Sequence, residues 1–340
     1  MSVFVIAEAG ANHDRDYLQA LKLIDAAVAA KADAVKFQTY SAETLYAKNT
    51  PNFGGYENIN DLIKRIELPR EWQELLKKYC DDSGIEFMST PFDERAVDEL
   101  HSLGVERFKI AGFEATDPRL VKYIASTNLP LIISAGIGCD IAMVRNIYHW
   151  VLSVNPDPDV TFLHCNNAYP TPLKDICLGQ MNKIAEMDYK ADIKVGLSDH
   201  TEGILVPPLA VALGAKAIEK HFTLDRSLTG PDHAFAIEPP ELKQMVTNIR
   251  FVESSRSQYS KAISESERGF EKARRSLVTK TKIKKGELLT EENVTTKRPS
   301  IKNSIAASWY YDIIGDDVIT TKDLDVDQLI EWGDIKSLWQ

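Results

Sequence analysis

Eight short apolar runs, which alternate with longer stretches of helical spacing, restrict the fold of this chain more than any other feature. The runs are rich in β-branched residues and end in polar ones, which is typical of strands in a buried parallel sheet. The predicted strands are Val3–Ala7, Ala34–Phe37, Glu86–Ser89, Arg107–Ile110, Leu131–Ser134, Val160–His164, Ile193–Leu197 and Ala217–Glu219.

The stretches between the runs have apolar residues three and four positions apart, which predicts helices. The predicted helices are Asp16–Ala30, Arg70–Ser83, Glu94–Leu103, Pro118–Ser126, Ile141–Val154, Asp175–Met187, Ile204–Leu213 and Pro240–Ser254. Eight strand–helix units match a (β/α)8 barrel, the TIM barrel of the α/β class, in number and length. A doubly wound open sheet is the alternative, but no Gly-x-Gly-x-x-Gly motif opens the first helix.

The pattern changes after Ser254. Residues 257–275 are rich in Ser, Glu, Lys and Arg and predict a polar linker. From Ser276 the short-range alternation predicts a small β-rich domain. Its strand-like fragments are Val294–Lys297, Val318–Thr320 and Leu329–Trp332, with a short helix near Ser308–Ile314. The predicted domains are therefore a barrel (1–256) and a C-terminal domain (276–340), joined by the linker.

The charge balance limits the classes of partner. With 40 Lys and Arg against 50 Asp and Glu, the net charge is −10, which argues against nucleic-acid binding but allows a few lysines to hold an anionic substrate. The four cysteines form no Cys-x-x-Cys pair, which favours a reducing compartment. No apolar run approaches ~20 residues and the N-terminus lacks a basic leader segment, so we expect a cytoplasmic protein without a membrane span.

Polar side chains follow every predicted strand. In a (β/α)8 enzyme the carboxyl ends of the strands form the active site, whereas the residues below them pack the interior. These strand-end residues are Glu8, Lys36 with Gln38, Thr90, Lys109, Ser134, Asn166 and Asn167 with Tyr169, Ser198 with His200, and Glu219 with His221. Two lysines with hydroxyl and amide groups suit a ligand that carries phosphate and carboxylate.

His200 and His221 occupy matching positions after the last two predicted strands. Neighbouring parallel strands bring such imidazoles together, which makes a good site for a divalent metal that polarises a carbonyl oxygen. Two unrelated histidines, each bonded to a backbone group, are the alternative. Glu8 suits a general base or a residue that orients water, and Asp232, in the Gly230-Pro-Asp-His233 turn, suits a sugar hydroxyl.

One strand–helix connection is unusually long. It runs from Thr39 to Leu68 and contains Pro51, Gly54 and Gly55. Connections of this length are commonly lids or binding loops, but a solvated insertion without a role has the same sequence pattern.

Several motifs follow one another along nearly the whole chain. They are Ile6-Ala-Glu-Ala-Gly-Ala-Asn-His13, Val35-Lys-Phe-Gln-Thr39, Ser89-Thr-Pro-Phe92, Phe108-Lys-Ile-Ala111, His164-Cys-Asn-Asn-Ala-Tyr-Pro170, Gly196-Leu-Ser-Asp-His200, Glu219-Lys-His-Phe222 and Gly230-Pro-Asp232. Together they resemble the motifs of sialic acid synthases, a family that includes legionaminic and pseudaminic acid synthases. Ile283-Lys-Lys-Gly-Glu and Lys297-Arg-Pro299 resemble that family's C-terminal antifreeze-like (SAF) domain.

The resemblance implies a transferase that condenses phosphoenolpyruvate with N-acetylmannosamine or a related acetamido hexose. Water is the third reactant, and the products are phosphate and a nine-carbon 2-keto sugar acid of the sialic or legionaminic type. It also implies that His200 and His221 bind Mn²⁺, with Mg²⁺ or Co²⁺ as substitutes, and that Glu8 faces the aldehyde and the attacking water.

The remaining site residues also take their roles from the resemblance. The implied ligands of phosphoenolpyruvate are Lys36, Thr90, Lys109, Ser134, Asn167 and Ser198. Those of the amino sugar are Gln38, Tyr169 and Asp232. Arg298 is implied to reach the acetamido group bound in the other subunit of a domain-swapped homodimer.

Three departures from the family pattern bear on these roles. Gly112 takes the place of a common serine, which removes one expected phosphoenolpyruvate contact. Phe113-Glu-Ala-Thr-Asp117 is closer to pseudaminic acid synthases, whereas Gly230-Pro-Asp-His233 is closer to sialic and legionaminic ones. After Arg298-Pro299, the segment Ser300-Ile-Lys-Asn-Ser304 replaces a glycine-rich turn.

Three other functions are weighed against this one. A pseudaminic acid synthase, or another 2-keto-3-deoxy sugar acid synthase, would use the same residues. A Schiff-base aldolase would form its imine on Lys109 or Lys36, but the histidine pair argues against it. A sugar-binding protein on a degenerate barrel would need lost strand-end residues, and only Gly112 fits that description.

Overall fold

The computed structural model describes residues 2–51, 58–187, 193–256, 263–315 and 317–338. The chain divides into two compact units, Met1–Ser257 and Gln258–Gln340. None of the described helices combines the length and the apolar character that crossing a bilayer requires.

The first unit is a barrel of eight parallel strands. The strands are β1 (Phe4–Gly10), β2 (Ala34–Thr39), β3 (Glu86–Pro91), β4 (Phe108–Ile110), β5 (Leu131–Ala135), β6 (Val160–Cys165), β7 (Lys194–Asp199) and β8 (Ala217–His221). Neighbouring strands pair in the order β3-β2-β1-β8-β7-β6-β5-β4, and contacts between β3 and β4 close the ring. The predicted (β/α)8 fold is confirmed, and each predicted run overlaps one observed strand.

The helices of this unit surround the strands. They are α1 (Tyr17–Ala30), α2 (Ala42–Leu45), α3 (Ile59–Ile66), α4 (Gln73–Ser83), α5 (Glu94–Leu103), α6 (Pro118–Ala125), α7 (Ile141–Leu152), α8 (Gly179–Ala185), α9 (Val206–Ala212) and α10 (Pro239–Ser255). Asp16, Asp93 and Asp140 cap α1, α5 and α7 by accepting hydrogen bonds from backbone N–H groups of the first turn. α8 begins four residues after the predicted Asp175, because a 3₁₀ turn at Leu173–Asp175 and the positive φ of Cys177 precede it.

The barrel interior has two layers, because successive side chains of a strand point to opposite faces. The lower layer is apolar and consists of Ile6, Ala34, Met88, Ile132, Leu163 and Ala217. Two residues further along the same strands, the inward positions are occupied by Glu8, Lys36, Thr90, Ser134, Cys165 and Glu219. A second apolar core, which includes Val5 and Val35, lies between the outer faces of the strands and the helices. A polar layer therefore rests on an apolar one at the carboxyl ends of the strands.

The long connection between β2 and α4 contains α2 and α3. We call its residues 40–68 the insertion; the predicted turn residues Gly54 and Gly55 lie outside the described residues. Tyr40, Ile59 and Ile63 are buried in a small apolar cluster of their own, against which Phe92 packs. The insertion is therefore anchored on the barrel by apolar contacts.

The second unit has its own small core, which is formed by Leu277, Ile283, Leu289, Val294, Ile305, Ile313, Val318, Leu324 and Ile330. Its strands form two antiparallel pairs: β9 (Ser276–Thr279) with β10 (Val294–Lys297), and β11 (Val318–Thr320) with β12 (Ile335–Ser337). Its α-helices are α11 (Glu265–Arg268) and α12 (Tyr310–Ile313), and α12 lies within the predicted helical piece.

The predicted strand at Leu329–Trp332 is wrong. Leu329 and Glu331 form isolated bridges to Val278 and Ser304, and the last strand begins only at Ile335. A 3₁₀ turn that starts at Trp332, capped by the Glu331 side chain, interrupts the run.

Candidate active site

The polar layer of the barrel is the floor of a cavity of about 240 Å³. Eleven of the side chains nominated from the sequence line this cavity: Glu8, Lys36, Gln38, Lys109, Ser134, Asn167, Tyr169, Ser198, His200, His221 and Asp232. Thr90 touches Lys36, whose Nζ donates to the threonine hydroxyl at 2.9 Å. Arg298 is exposed and follows β10 in the second unit, so it is not among the residues that the barrel brings together.

Two lysines and two glutamates meet in the floor. Lys36 Nζ lies 2.9 Å from Glu8 Oε2 and 3.6 Å from Glu219 Oε2. Lys109 Nζ lies 3.5 Å from Glu219 Oε1 and donates to the Ser134 hydroxyl at 2.8 Å. The four charged side chains are at most 6% exposed, so each charge is compensated by its neighbours rather than by water.

Burial and neighbouring charges set the protonation of this group. Burial is the main cause of the raised pKa of Glu8, which reaches about 7 even beside Lys36. Burial also lowers the pKa of Lys109. Burial opposes the ionisation of Glu219, but Lys109 and Lys36 outweigh it and lower the pKa of that carboxyl. Glu219 is therefore the fixed carboxylate of the floor, whereas Glu8 exchanges a proton near neutral pH.

His200 and His221 lie at the ends of the neighbouring strands β7 and β8, with ring centres 5.3 Å apart. His200 Nδ1 lies 2.7 Å from the Asn166 carbonyl oxygen. Because a carbonyl oxygen can only accept, Nδ1 carries the hydrogen and Nε2 carries the lone pair. Burial lowers the pKa of His200, and it lowers that of His221 well below the usual value, so both rings are neutral at pH 7.

The histidine pair fits a divalent metal ion. Two imidazoles that share one ion through bonds of ~2.1 Å place their ring centres ~5 Å apart. His221 Nδ1 is buried and has no hydrogen-bond partner among the described residues, and Asp232 Oδ2 lies 3.9 Å from it. Among the residues that the structure describes, no three or more His, Cys, Asp or Glu side chains are grouped so that they could hold a metal ion. The protein would therefore supply two imidazoles and leave open positions for substrate oxygens.

Steric contacts explain why glycine, and not serine, occupies position 112 in this chain. A Cβ at Gly112 would lie 2.7 Å from Asn167 Oδ1, and one at Gly136 would lie 2.1 Å from the same atom. Asn167 Oδ1 also accepts a 2.7 Å hydrogen bond from the Ile137 backbone N–H. The Asn167 amide thus fills the space that a serine at position 112 would need.

Side chains outside the cavity hold the histidines and Asp232 in place. Between the cavity-facing positions of β7 and β8, Asp199 and Lys220 form a buried ion pair of 2.7 Å. The backbone N–H of Ala11 donates to Asp232 Oδ2 at 3.3 Å. The next residue, His233, is fully buried and bonds to the Thr223 hydroxyl at 2.6 Å. Asp199, Lys220, Thr223 and His233 support the site and are not among the residues that line the cavity.

Two carboxyl groups of the cavity were not assigned roles from the sequence. Glu219, recognised only as a strand-end residue, accepts a 3.0 Å hydrogen bond from Ser198 and pairs with both lysines. The sequence feature that could have indicated a role for Glu219 is its position two residues before His221, on the same face of β8. Glu114 also lines the cavity, and burial raises its pKa to about 7. It is the first residue of a 3₁₀ turn, Glu114–Thr116, that follows β4, where no strand period reveals the direction of its side chain.

The fold and the floor together give a (β/α)8 barrel in which one cavity holds two buried lysines, two glutamates and a histidine pair. Comparison with known proteins gives the family. Residues 23–261 match the model of the NeuB family, and residues 274–336 match that of the SAF domain. The chain belongs to the NeuB family and ends in a SAF domain, as the resemblance of its motifs predicts.

Individual relatives cover most of the chain. The N,N′-diacetyllegionaminic acid synthase of Legionella pneumophila is 41% identical over 327 residues, which are 93% of this chain and 90% of that protein. The pseudaminic acid synthase of Campylobacter jejuni is 34% identical and covers 98% of this chain and 97% of its own. The crystal structure of a sialic acid synthetase from Leptospira borgpetersenii, in complex with citrate, has a TM-score of 0.72 and 33% identity, over 79% of this chain and 90% of that one. Relatives of this chain thus make sugar acids of the nonulosonic type.

Proposed function

We propose that this protein condenses phosphoenolpyruvate with N-acetylmannosamine or a related acetamido hexose, using a divalent metal ion, to give a nine-carbon 2-keto sugar acid and phosphate. The floor of the cavity is the observation that carries the proposal. It combines two buried lysines, which suit the two anionic groups of phosphoenolpyruvate, with a neutral histidine pair beside them. The metal is expected to be Mn²⁺, with Mg²⁺ or Co²⁺ as substitutes.

The lysines are already positioned for an anionic substrate. Carboxylates hold Lys36 and Lys109 in place at 2.9 to 3.6 Å, and hydroxyls of Thr90 and Ser134 accept from them. Positive charge held in a fixed place stabilises the substrate without reorganisation during the reaction. Ser198 and Asn167 add neutral hydrogen-bonding groups around the same anion.

Each bond change can be assigned to a place in the cavity. C3 of the enol phosphate attacks the aldehyde carbon of the open-chain sugar, whose oxygen takes the carbonyl electrons and a proton. His200 and His221 would hold a divalent metal ion, which would supply Lewis acidity at that aldehyde. Ionised Glu8, which accepts a 2.8 Å hydrogen bond from Gln38, takes a proton from the water that adds to C2. The C2–O bond then breaks, its electrons leave with phosphate, and the C2 hydroxyl loses its proton to give the ketone.

The C-terminal unit is assigned a role in sugar binding. In the proposed domain-swapped homodimer, Arg298 of one subunit reaches the acetamido group of the sugar in the other. The turn that follows it uses polar residues instead of glycines. Asn303 adopts a positive φ of 76°, and the Ser304 hydroxyl accepts from the Ile301 N–H at 3.0 Å. The altered sequence therefore still supports a tight turn next to Arg298.

Phosphate release tests the proposal. Purified protein with phosphoenolpyruvate and Mn²⁺ should release phosphate only when an acetamido hexose is added. EDTA should abolish the release, and added Mn²⁺ should restore it. Release that survives EDTA, or no release with any acetamido hexose from folded protein loaded with metal, would refute this function.

A further inference from the structure

The cavity has a second half whose chemistry differs from that of the floor. Above the strand ends, the insertion and the segments after β3 and β4 line it with mostly apolar side chains, which we call the wall: Leu45, Tyr46, Leu62, Ile63, Ile66, Phe92 and Phe113. Six of these seven belong to the small apolar cluster around Tyr40 and Ile59. The wall is thus a packed surface, separate from the core of the barrel.

An apolar wall discriminates between the remote ends of acetamido sugars. The aldehyde end of the sugar belongs at the histidine pair, so its C4 to C6 end extends toward the wall. A hydroxyl buried there without a partner costs about 1–3 kcal/mol, whereas each buried methyl or methylene group gains about 0.8 kcal/mol. The wall therefore disfavours the hydroxyls of N-acetylmannosamine and favours acetyl methyl groups.

Glu114 supplies a carboxyl group to this half of the cavity. Its Oε2 atom is buried and has no hydrogen-bond partner within the described parts of the chain. The carboxyl is close enough to Tyr46 of the wall to raise the pKa of that phenol, after burial as the larger cause. A carboxyl acceptor beside a mostly apolar surface suits an N–H donor that is next to a methyl group, which is what an acetamido group provides.

We propose that the wall and Glu114 select a 2,4-diacetamido hexose, with the methyl of the second acetamido group on the wall and its N–H on the Glu114 carboxyl. This inference rests on the proposed function. It also predicts rejection of a 6-phosphate, because no Lys or Arg is found among the described residues of this half, and the lysines of the cavity lie in the floor.

The experiment compares three sugars at fixed phosphoenolpyruvate and Mn²⁺: 2,4-diacetamido-2,4,6-trideoxymannose, N-acetylmannosamine and its 6-phosphate. We expect kcat/KM for the diacetamido sugar to exceed that for N-acetylmannosamine by about tenfold or more, with the 6-phosphate poorest. Equal use of the first two sugars, or preference for either of the others, would overturn this inference and leave the proposed function intact. No turnover of any sugar would overturn both.

Two variants assign the selectivity to these residues. Glu114→Leu should lower kcat/KM for the diacetamido sugar about tenfold more than it lowers that for N-acetylmannosamine, because only the former offers the second N–H. Leu62→Ser should reduce the ratio of kcat/KM for the diacetamido sugar to kcat/KM for N-acetylmannosamine. Its control Leu173→Ser, at an exposed position outside the cavity, should leave this ratio unchanged. Thermal melting checks folding, and if Glu114→Leu fails to fold, Leu62→Ser decides alone. Equal losses for both sugars in the folded variants would contradict the assignment.

Discussion

The floor and the wall of the cavity are built on different principles. The floor consists of side chains at the ends of eight parallel strands, and its charged groups are held by one another at distances of 2.9 to 3.6 Å. The wall is contributed mainly by an insertion between β2 and α4, and its side chains are held by apolar packing. The barrel architecture fixes the floor, whereas the insertion can change without disturbing the strands. Under the two proposals above, the reaction is assigned to the floor and the choice of sugar to the wall, so that changes in one region should leave the property of the other intact.

Loss of a floor histidine should have the largest effect. We expect His221→Ala to reduce phosphate release about a thousandfold or more, because one of the two imidazoles that would hold the metal ion beside the aldehyde is lost. Isothermal titration with Mn²⁺ should show weakened binding in the same variant. His149→Ala, an exposed histidine on α7, is the control and should change neither quantity. Wild-type Mn²⁺ affinity in His221→Ala would contradict the proposal that the histidine pair binds the metal ion.

Loss of a floor lysine should separate function from stability. Lys109→Met should lower kcat/KM for phosphoenolpyruvate about a hundredfold and, by leaving Glu219 buried without one partner, destabilise the fold by about 3 kcal/mol. The double variant with Glu219→Gln should recover much of the stability but none of the activity. Steady-state kinetics measures kcat/KM, and denaturant unfolding measures the stability of each variant. Recovery of activity in the double variant would contradict a substrate-binding role for Lys109.

The pH profile tests Glu8. Burial raises the pKa of Glu8 to about 7, so the ionised form that accepts a proton from water is lost as the pH falls through that value. We expect kcat to be level above this pH and to fall about tenfold per unit below it. Glu114, whose pKa is also raised to about 7, is the competing assignment. The fall in kcat at low pH should persist in Glu114→Gln. Its disappearance in that variant would mean that Glu114, and not Glu8, is the group that accepts the proton from water.

A smaller change at the border of the floor tests the packing around Asn167. Gly112→Ser restores the residue that the family commonly has, but its Cβ would lie 2.7 Å from Asn167 Oδ1. We expect kcat/KM for phosphoenolpyruvate to fall about tenfold, because Asn167 must move. The KM for the sugar serves as the internal control and should stay within about twofold of wild type. An unchanged or improved kcat/KM for phosphoenolpyruvate would mean that the observed position of Asn167 is not needed for substrate binding.

The smallest effect is expected from the C-terminal unit. Arg298→Ala should raise KM for the sugar about fivefold and leave kcat nearly unchanged, since an exposed arginine contributes about 1 kcal/mol. Lys302→Ala, an exposed cation four residues further on, is the matched control. An effect on phosphoenolpyruvate instead of the sugar would contradict the assigned contact.

The sequence predicts the floor better than the wall for a physical reason. The two-residue period of a strand connects Ile6 of the apolar layer to Glu8, and Ala217 to Glu219 and His221, so strand ends can be nominated without a structure. The insertion has no such period. Ile63 and Leu62 are adjacent on α3 and both line the cavity, and only the packed cluster determines this. At position 112 the sequence indicates only that a serine contact is lost. The structure shows that a side chain there would collide with Asn167, which lies 55 residues away in the chain.

The fate of the bridging oxygen of phosphoenolpyruvate tests the central claim about the floor most directly. With ¹⁸O between C2 and phosphorus, and an acetamido hexose as acceptor, mass spectrometry of the released phosphate reports which bond breaks. We expect the C2–O bond to break after water adds at C2, so the label should leave with phosphate. Unlabelled phosphate would mean that the P–O bond breaks. The floor would then generate pyruvate or its enolate, as in a lysine-dependent aldol reaction, and the condensation described here would be wrong.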